Sequence, residues 1–299
     1  MLNRKGKLMI LSLLLVGACF CSAKVYGHVK AIKTEKAKQL EIQLKKEEEK
    51  KAEEERLKAE EEERKRQKYG VGPNGEAYTY DAKVIWDKLS RYDYSNNGEK
   101  IAFLTFDDGP STTVTPQILD ILKEANVKGT FFVLGEQLET EAGAKLLKRI
   151  YDEGHAIANH SYSHNYKKLY PGRNLDLNAF ISEINATENK AKEILGENFN
   201  INVVRCPGGY MSWKGMDSLK DYLIENNMAA IDWNALNGDA EGKKRSPEEL
   251  MNRFTESFGE KDIEVILMHD TYGKENTAKM LKQLIDKLKE EGYSFKTLV

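Results

Sequence analysis

The stretch Ile101-Ala102-Phe103-Leu104-Thr105-Phe106-Asp107-Asp108-Gly109-Pro110 decides how this chain folds. An uninterrupted run of apolar and β-forming residues reads as a buried strand, and it stops at two adjacent carboxylates followed by a Gly-Pro turn signal. Neighbouring side chains on a strand point to opposite faces, but at a frayed end two consecutive Asp can turn toward one concave rim. Two carboxylates that close raise each other's pKa unless a cation stands nearby. The stretch therefore asks for a metal, a basic partner or both; taken alone, an Asx-type turn after a core strand accounts for it equally well.

Downstream of this strand, helix-like and strand-like stretches alternate. Thr115-Pro116 opens a helix over 115–125, followed by a strand over 130–134. A helix over 142–152 ends at Gly154, and His155 begins a strand over 155–159. A longer helix spans 177–195, and strands follow at 201–205 and 229–234. Ser246-Pro247-Glu248-Glu249 is a capping box with Pro at the first helical position, opening a helix to about 258. A strand over 264–268, a helix over 277–291 and a last strand over 293–298 complete the series. Such alternation predicts an α/β fold whose parallel sheet is closed, or nearly closed, by helices.

Upstream the composition changes. Arg4, Lys5 and Lys7 precede an apolar run over 8–23, the pattern of an export signal. Roughly 16 apolar residues are a little short for a spanning helix, which needs about 20. Three outcomes compete for segment 1–28: a retained membrane anchor, a lipid on Cys19 after the lipobox-like Leu15-Val16-Gly17-Ala18, or cleavage after Ala23. All three place the bulk of the chain outside the cytoplasm, with the basic cluster inside. Segment 29–69 lacks Gly and Pro until its end and is rich in Glu, Lys, Arg, Gln and Ala, so it predicts one long helix over 29–68. Opposite charges such as Glu47 with Lys51 and Glu54 with Lys58 support a solvated stalk. Leu40, Ile42, Leu44 and Leu57 keep no heptad spacing, so self-association of the stalk is allowed but not indicated. Gly70 to Gly75 breaks the helix, 70–97 reads as a linker, and the folded domain is expected over 98–299.

Net charge is −2 over 299 residues, which gives no electrostatic footprint for nucleic acid. Of the three Cys, Cys19 and Cys21 lie in the apolar run, so Cys206 stands alone and no internal disulfide framework exists downstream. Four of the five His fall in the expected domain. His160 and His164 are four apart after a strand, a spacing that lets two imidazoles face one point as metal ligands; the spacing alone is a weak signal. Its support is position. Asp107, Asp108, His160, His164, Arg205, Asp232, Trp233, His269 and Asp270 all follow predicted strands, and in a parallel barrel that end is one rim where catalytic groups gather.

At these residues the chain resembles the NodB-homology polysaccharide deacetylases, carbohydrate esterase family 4, over 98–299. Thr105-Phe106-Asp107-Asp108-Gly109 is similar to the family's first motif, His160-Ser161 with His164 to its second, Arg205, Pro207 and Gly209 to its third, and Leu267 with His269 to its fifth. The fourth departs from the pattern: Asp239 is kept, but Ala240 stands where the family has Trp. The resemblance implies a distorted, incomplete (β/α) barrel and one divalent metal, zinc with cobalt or manganese as alternatives. It implies Asp108, His160 and His164 as ligands, Asp107 as base kept ionised by Arg205, and His269 as acid oriented by Asp239. The N–H of Gly208 would meet the oxyanion. Leu267 belongs to the substrate pocket, and Tyr210, Trp213 and Trp233 either line a sugar groove or pack inside. The implied substrate is a polymer of N-acetylglucosamine, peptidoglycan first and a chitin-like or exported glycan second. A silent glycan-binding module is the remaining alternative, but no ligand is missing. His155, Cys206 and Asp270 read as structural.

Overall fold

The computed structural model describes residues 36, 38–40, 42–56, 58 and 68–299. The expected export signal, anchor and lipid site over 1–28 lie outside these residues. Among the described residues no helix is long and apolar enough to cross a membrane. The chain divides into two units, the second being Gln67–Val299.

In the first unit the described residues between 36 and 58 are helical, as the charge pattern predicts, and Leu40, Ile42 and Leu44 are exposed. The helix does not continue to Lys68. Lys68–Tyr69 is a short strand, β1, paired in parallel with Phe199–Asn200.

The second unit begins well ahead of residue 98. After β1 come β2 (Thr79–Tyr80), helix α1 (Ala82–Ser90) and β3 (Ile101–Asp107). Then follow α2 (Thr115–Ala125), β4 (Thr130–Val133), α3 (Glu141–Asp152), β5 (Ala156–Asn159), the single turn α4 (Tyr166–Leu169) and α5 (Leu177–Leu195). Next are β6 (Phe199–Asn200), β7 (Val203–Val204), α6 (Asp217–Glu225), β8 (Ala229–Ala230) and β9 (Ala235–Leu236). The chain closes with α7 (Pro247–Ser257), β10 (Ile263–His269), α8 (Glu275–Glu290), β11 (Ser294–Phe295) and β12 (Thr297–Leu298).

The main sheet runs β8-β7-β5-β4-β3-β10-β9, with β11 also on β3, and every pairing is parallel. It is a curled half-barrel, open between β8 and β9. Strand alternation sorts its side chains. Leu104, Phe106, Phe131, Ile157 and Ile266 face outward onto α2, α3, α7 and α8, in one cluster with Ile118, Leu147, Phe254 and Leu284. Phe103, Phe132, Ala158, Val203 and Val265 face inward. The expected capping box is present: Ser246 Oγ accepts from Glu249 N at 3.2 Å and Glu249 Oε2 from Ser246 N at 2.7 Å.

The stretch expected as a linker over 70–97 is part of this core. Ala82 and Ile85 of α1 are buried among the inward-facing residues together with Leu298. Leu298 N donates to Thr130 Oγ1 at the start of β4, so α1 and β12 close the N-terminal mouth of the barrel. Burying a side chain such as Ile85 contributes about 1.5–3 kcal/mol.

Two strands are shorter than the sequence predicts, because side chains take the carbonyls that would extend the ladder. His160 Nδ1 is 2.8 Å from the carbonyl of Arg205 and ends β7. The Arg205 guanidinium in turn donates to the carbonyls of Ile231 (2.8 Å) and Asp232 (3.2 Å), which ends β8. The last predicted strand splits into β11 and β12, paired with β3 and β2 respectively.

Candidate active site

The register of the sheet brings the rim residues to one level: His269 lies beside Asp107 across the β10–β3 pair, and Asn159, just before His160, lies beside Val204. Asp107 is 2 % exposed and accepts from Arg205 Nη1 at 2.7 Å. That nitrogen also donates to Thr105 Oγ1 at 2.9 Å, and the guanidinium lies 4.0 Å over the Phe132 ring. A fully buried arginine is tolerated because its donors find acceptors and its charge an anion. Burial nonetheless pushes the Asp107 carboxyl above its usual range, and Arg205 offsets this only in part. Arg205 thus stands against Asp107, where the sequence expects it, and its charge works against the desolvation.

Beside the base stands a cluster that can hold a metal. Asp108 Oδ1 is 3.5 Å from the Nε2 atoms of both His160 and His164, and the ligand atoms of the set lie within 4.8 Å of one another. Asp108 Oδ1 is buried and has no hydrogen-bond partner. An unpartnered buried carboxylate oxygen facing two imidazole nitrogens fits a cation, and the donor set suits zinc. The Nδ1 contact to Arg205 leaves His160 Nε2 free to ligate. Burial lowers the His160 pKa to about 3, so the ring is neutral, the form that ligates.

This cluster needs unusual backbone. Asp108 (φ 69°), Ser161 (φ 71°) and His164 (φ 52°) are all left-handed, rare for residues other than glycine. Hydrogen bonds hold the second loop there. Ser161 N donates to Asn159 Oδ1 at 3.0 Å and His164 N to Ser161 Oγ at 3.0 Å. Glu183 on α5, 1 % exposed, accepts from the backbone N–H groups of Tyr162 (3.0 Å) and Ser163 (2.7 Å) through one oxygen. Its other oxygen accepts from Lys168 Nζ at 2.6 Å. Burial works against its charge, yet these donors hold its pKa below the usual value.

On the opposite side, His269 Nδ1 is 2.7 Å from Asp239 Oδ1, and His269 N donates to Asp239 Oδ2 at 2.9 Å. Thr277 Oγ1 donates to the same carboxylate at 2.7 Å. Burial disfavours the imidazolium, but the hydrogen bond and charge of Asp239 prevail and push His269 up to about 9. Its Nε2 lies 4.0 Å from Asp108 Oδ2. The ligand cluster, a buried base and an imidazole held protonated by Asp239 thus share one rim.

Residues 94–226 match the model of the family described as polysaccharide deacetylase. A peptidoglycan-N-acetylglucosamine deacetylase of Bacillus cereus is 30 % identical over 203 residues, covering 68 % of this chain and 88 % of that protein. This chain belongs to the polysaccharide deacetylase family. A Bacillus subtilis peptidoglycan-N-acetylmuramic acid deacetylase is 29 % identical, covering 71 % of this chain and 75 % of its own length. A Streptococcus mutans CE4 esterase of known structure superposes with a TM-score of 0.71 at 35 % identity, covering 78 % of this chain and 98 % of that one.

Ala240 replaces a tryptophan, yet the Asp239–His269 contact is intact. Gly208 is exposed with φ +79°, and a side chain there would begin 3.1 Å from Trp213 and 3.3 Å from Tyr166. Trp213 stacks on Tyr170 at 4.1 Å, and Tyr166 lies 5.0 Å from the His164 ring. Those two rings occupy the space that a larger residue at position 208 would need. Trp233 lies 5.7 Å from the Arg205 guanidinium. Leu267 is half-buried and by alternation shares the inward side with Val265 and His269. The Tyr210 hydroxyl donates to the carbonyl of Met216 at 2.9 Å.

His155 and Cys206 are buried, as expected of structural residues. The pKa of His155 is lowered to about 3 by burial. One residue escapes the sequence reading, and a second, read as structural, is more deeply placed than expected. Glu183 looks like any helix carboxylate. Asp270, expected as a loop residue, is buried beneath the Asp-Asp-Gly turn, accepts from Thr115 Oγ1 at 2.6 Å, and is pushed up to about 7 by burial. A side chain on Gly109 would collide with its carboxyl, which explains the glycine in the first motif.

Proposed function

We propose that this polysaccharide deacetylase removes the acetyl group from N-acetylglucosamine units of a cell-surface glycan, with peptidoglycan as its substrate. The observation that carries the reading is the unpartnered Asp108 oxygen facing His160 and His164, opposite a protonated His269. A divalent cation held by Asp108, His160 and His164, zinc or else cobalt or manganese, would polarise the acetamide carbonyl and acidify water.

The chain's own residues do the rest. Asp107 takes the proton of the attacking water, and Arg205 fixes its carboxylate at 2.7 Å. His269, held by Asp239 at 2.7 Å, gives a proton to the amine as the amide C–N bond breaks. The products are acetate and a free amino sugar. The backbone N–H of Gly208 and the rings of Trp233 and Trp213 bound the sugar side. A tether outside the cytoplasm belongs to the same reading, supported by the basic cluster and apolar run at the N-terminus.

The test is acetate release by the full chain from N-acetylglucosamine oligomers and from peptidoglycan, followed by mass spectrometry of the muropeptides. Release should stop with a chelator and return with zinc or cobalt. Chelator-resistant release would sink the mechanism, and acetate lost only from muramic acid would move the reading to that sugar.

A further inference from the structure

Gly208 has no side chain, and a residue from another loop fills the space beside it. A Cβ on Gly208 would lie 3.3 Å from the Tyr166 hydroxyl oxygen. Tyr166 opens α4, the single turn that follows the 160–164 loop, and Asn165 caps that turn by accepting from the N–H groups of Lys167 (3.0 Å) and Lys168 (3.3 Å). The chain is thereby turned just after His164, which sets the Tyr166 ring against the imidazole with centroids 5.0 Å apart. Trp213 packs on the same ring at 5.3 Å. Tyr166 is thus held in contact with a candidate metal ligand and with the glycine of the third motif.

The neighbouring rings are taken up by packing. Tyr170 is buried and stacks on Trp213 at 4.1 Å, and the indole N–H of Trp213 donates to the Pro207 carbonyl at 2.9 Å. Tyr166 is not used up in this way. It is 44 % exposed, and its hydroxyl has no hydrogen-bond partner among the described residues. A phenol fixed through its ring, with its O–H left over, is a preorganised donor for a bound molecule.

We infer that the Tyr166 hydroxyl is a second donor to the acetyl carbonyl oxygen, acting beside the N–H of Gly208. The inference rests on the deacetylase reading and deepens it by adding a catalytic residue to the same site. Only two bonds separate the Gly208 nitrogen from the Cβ position that the hydroxyl adjoins, so one oxygen can accept from both. As water adds to the acetyl carbon, the π pair of the C=O bond moves onto that oxygen. The phenol keeps its proton and meets the new charge with its O–H, a donor already in place before the charge forms. Glycine at position 208 leaves room for it, since a side chain there would crowd the hydroxyl.

The variant Tyr166→Phe in the full chain keeps the ring against His164 and Trp213 and removes only the donor. On N-acetylglucosamine oligomers kcat should fall about 10–100-fold, with KM and calorimetric zinc affinity unchanged. Binding of methylphosphonate, a sugar-free mimic of the tetrahedral acetyl group, should weaken by about the same factor. A kcat equal to that of the wild type, equal methylphosphonate affinity in the two proteins, or a loss of zinc affinity that accounts for the loss in kcat would each overturn the inference. If the wild type releases no acetate from the oligomers, the glycan reading fails, while the methylphosphonate comparison still decides the role of Tyr166.

Discussion

His160 and His269 are the same side chain, both buried on one rim, yet their surroundings drive them in opposite directions. His160 presents Nδ1 to a neutral backbone carbonyl and sits close to Arg205, so burial prevails and its pKa falls to about 3. His269 presents Nδ1 to the Asp239 carboxylate at 2.7 Å, and its pKa rises to about 9. One imidazole is fitted to ligate a cation and the other to carry a proton. The partner of the remote ring nitrogen, and not depth alone, decides between these jobs.

That contrast can be broken first with His160→Gln. It should abolish metal binding in calorimetric titration and leave no detectable acetate release, whereas unchanged affinity would remove His160 from the ligand set. The matching change His269→Gln should keep metal affinity and lower kcat about 10²–10⁴-fold, the usual worth of a general acid. If both variants lost the metal equally, the two histidines would not be divided in function. A smaller effect is expected from Glu183→Gln, which presents an amide N–H where an oxygen now accepts two backbone N–H groups. Metal affinity should fall about 10–100-fold, as for other residues that position a ligand, and added zinc should restore most of the activity.

The smallest effect is on stability. The His269 pKa is raised from an ordinary 6.5 to about 9, so the stabilisation it gives the metal-free fold is complete below pH 6.5 and is lost as pH climbs through 9. The difference in Tm between wild type and His269→Gln, about 2–4 °C for each kcal/mol in a domain of this size, should therefore be largest below pH 6.5 and shrink toward pH 10. A gap that widened with pH would reverse the sign assigned to the pair.

The rim was legible in the sequence because each of its residues follows an apolar run, and the strand-end position of Asp107, His160, Arg205 and His269 is a local property. The supports of that rim were not. Glu183 sits on a helix among other charges, and only the return of the 160–164 loop across α5 shows that it is buried. Asp270 follows His269 directly, yet its burial depends on Thr115 and Gly109, far away in the chain. Helix α1 did carry a signal, since Ala82, Ile85, Trp86 and Leu89 recur at helical spacing. With nine residues between polar flanks, it was outweighed by the turn signals on either side.

The helix that closes the N-terminal mouth has a practical consequence. The family match begins at residue 94 and the strand leading to Asp107 at residue 101, so trimming the gene to that point looks harmless. A fragment starting at Gly98 would lack Ala82 and Ile85 and leave Phe103 and Val265 uncovered at the mouth they close. Its fate would be aggregation or chaperone capture, with every catalytic residue still present. A fragment that keeps both α1 and the β1–β6 pair has to start at or before Lys68.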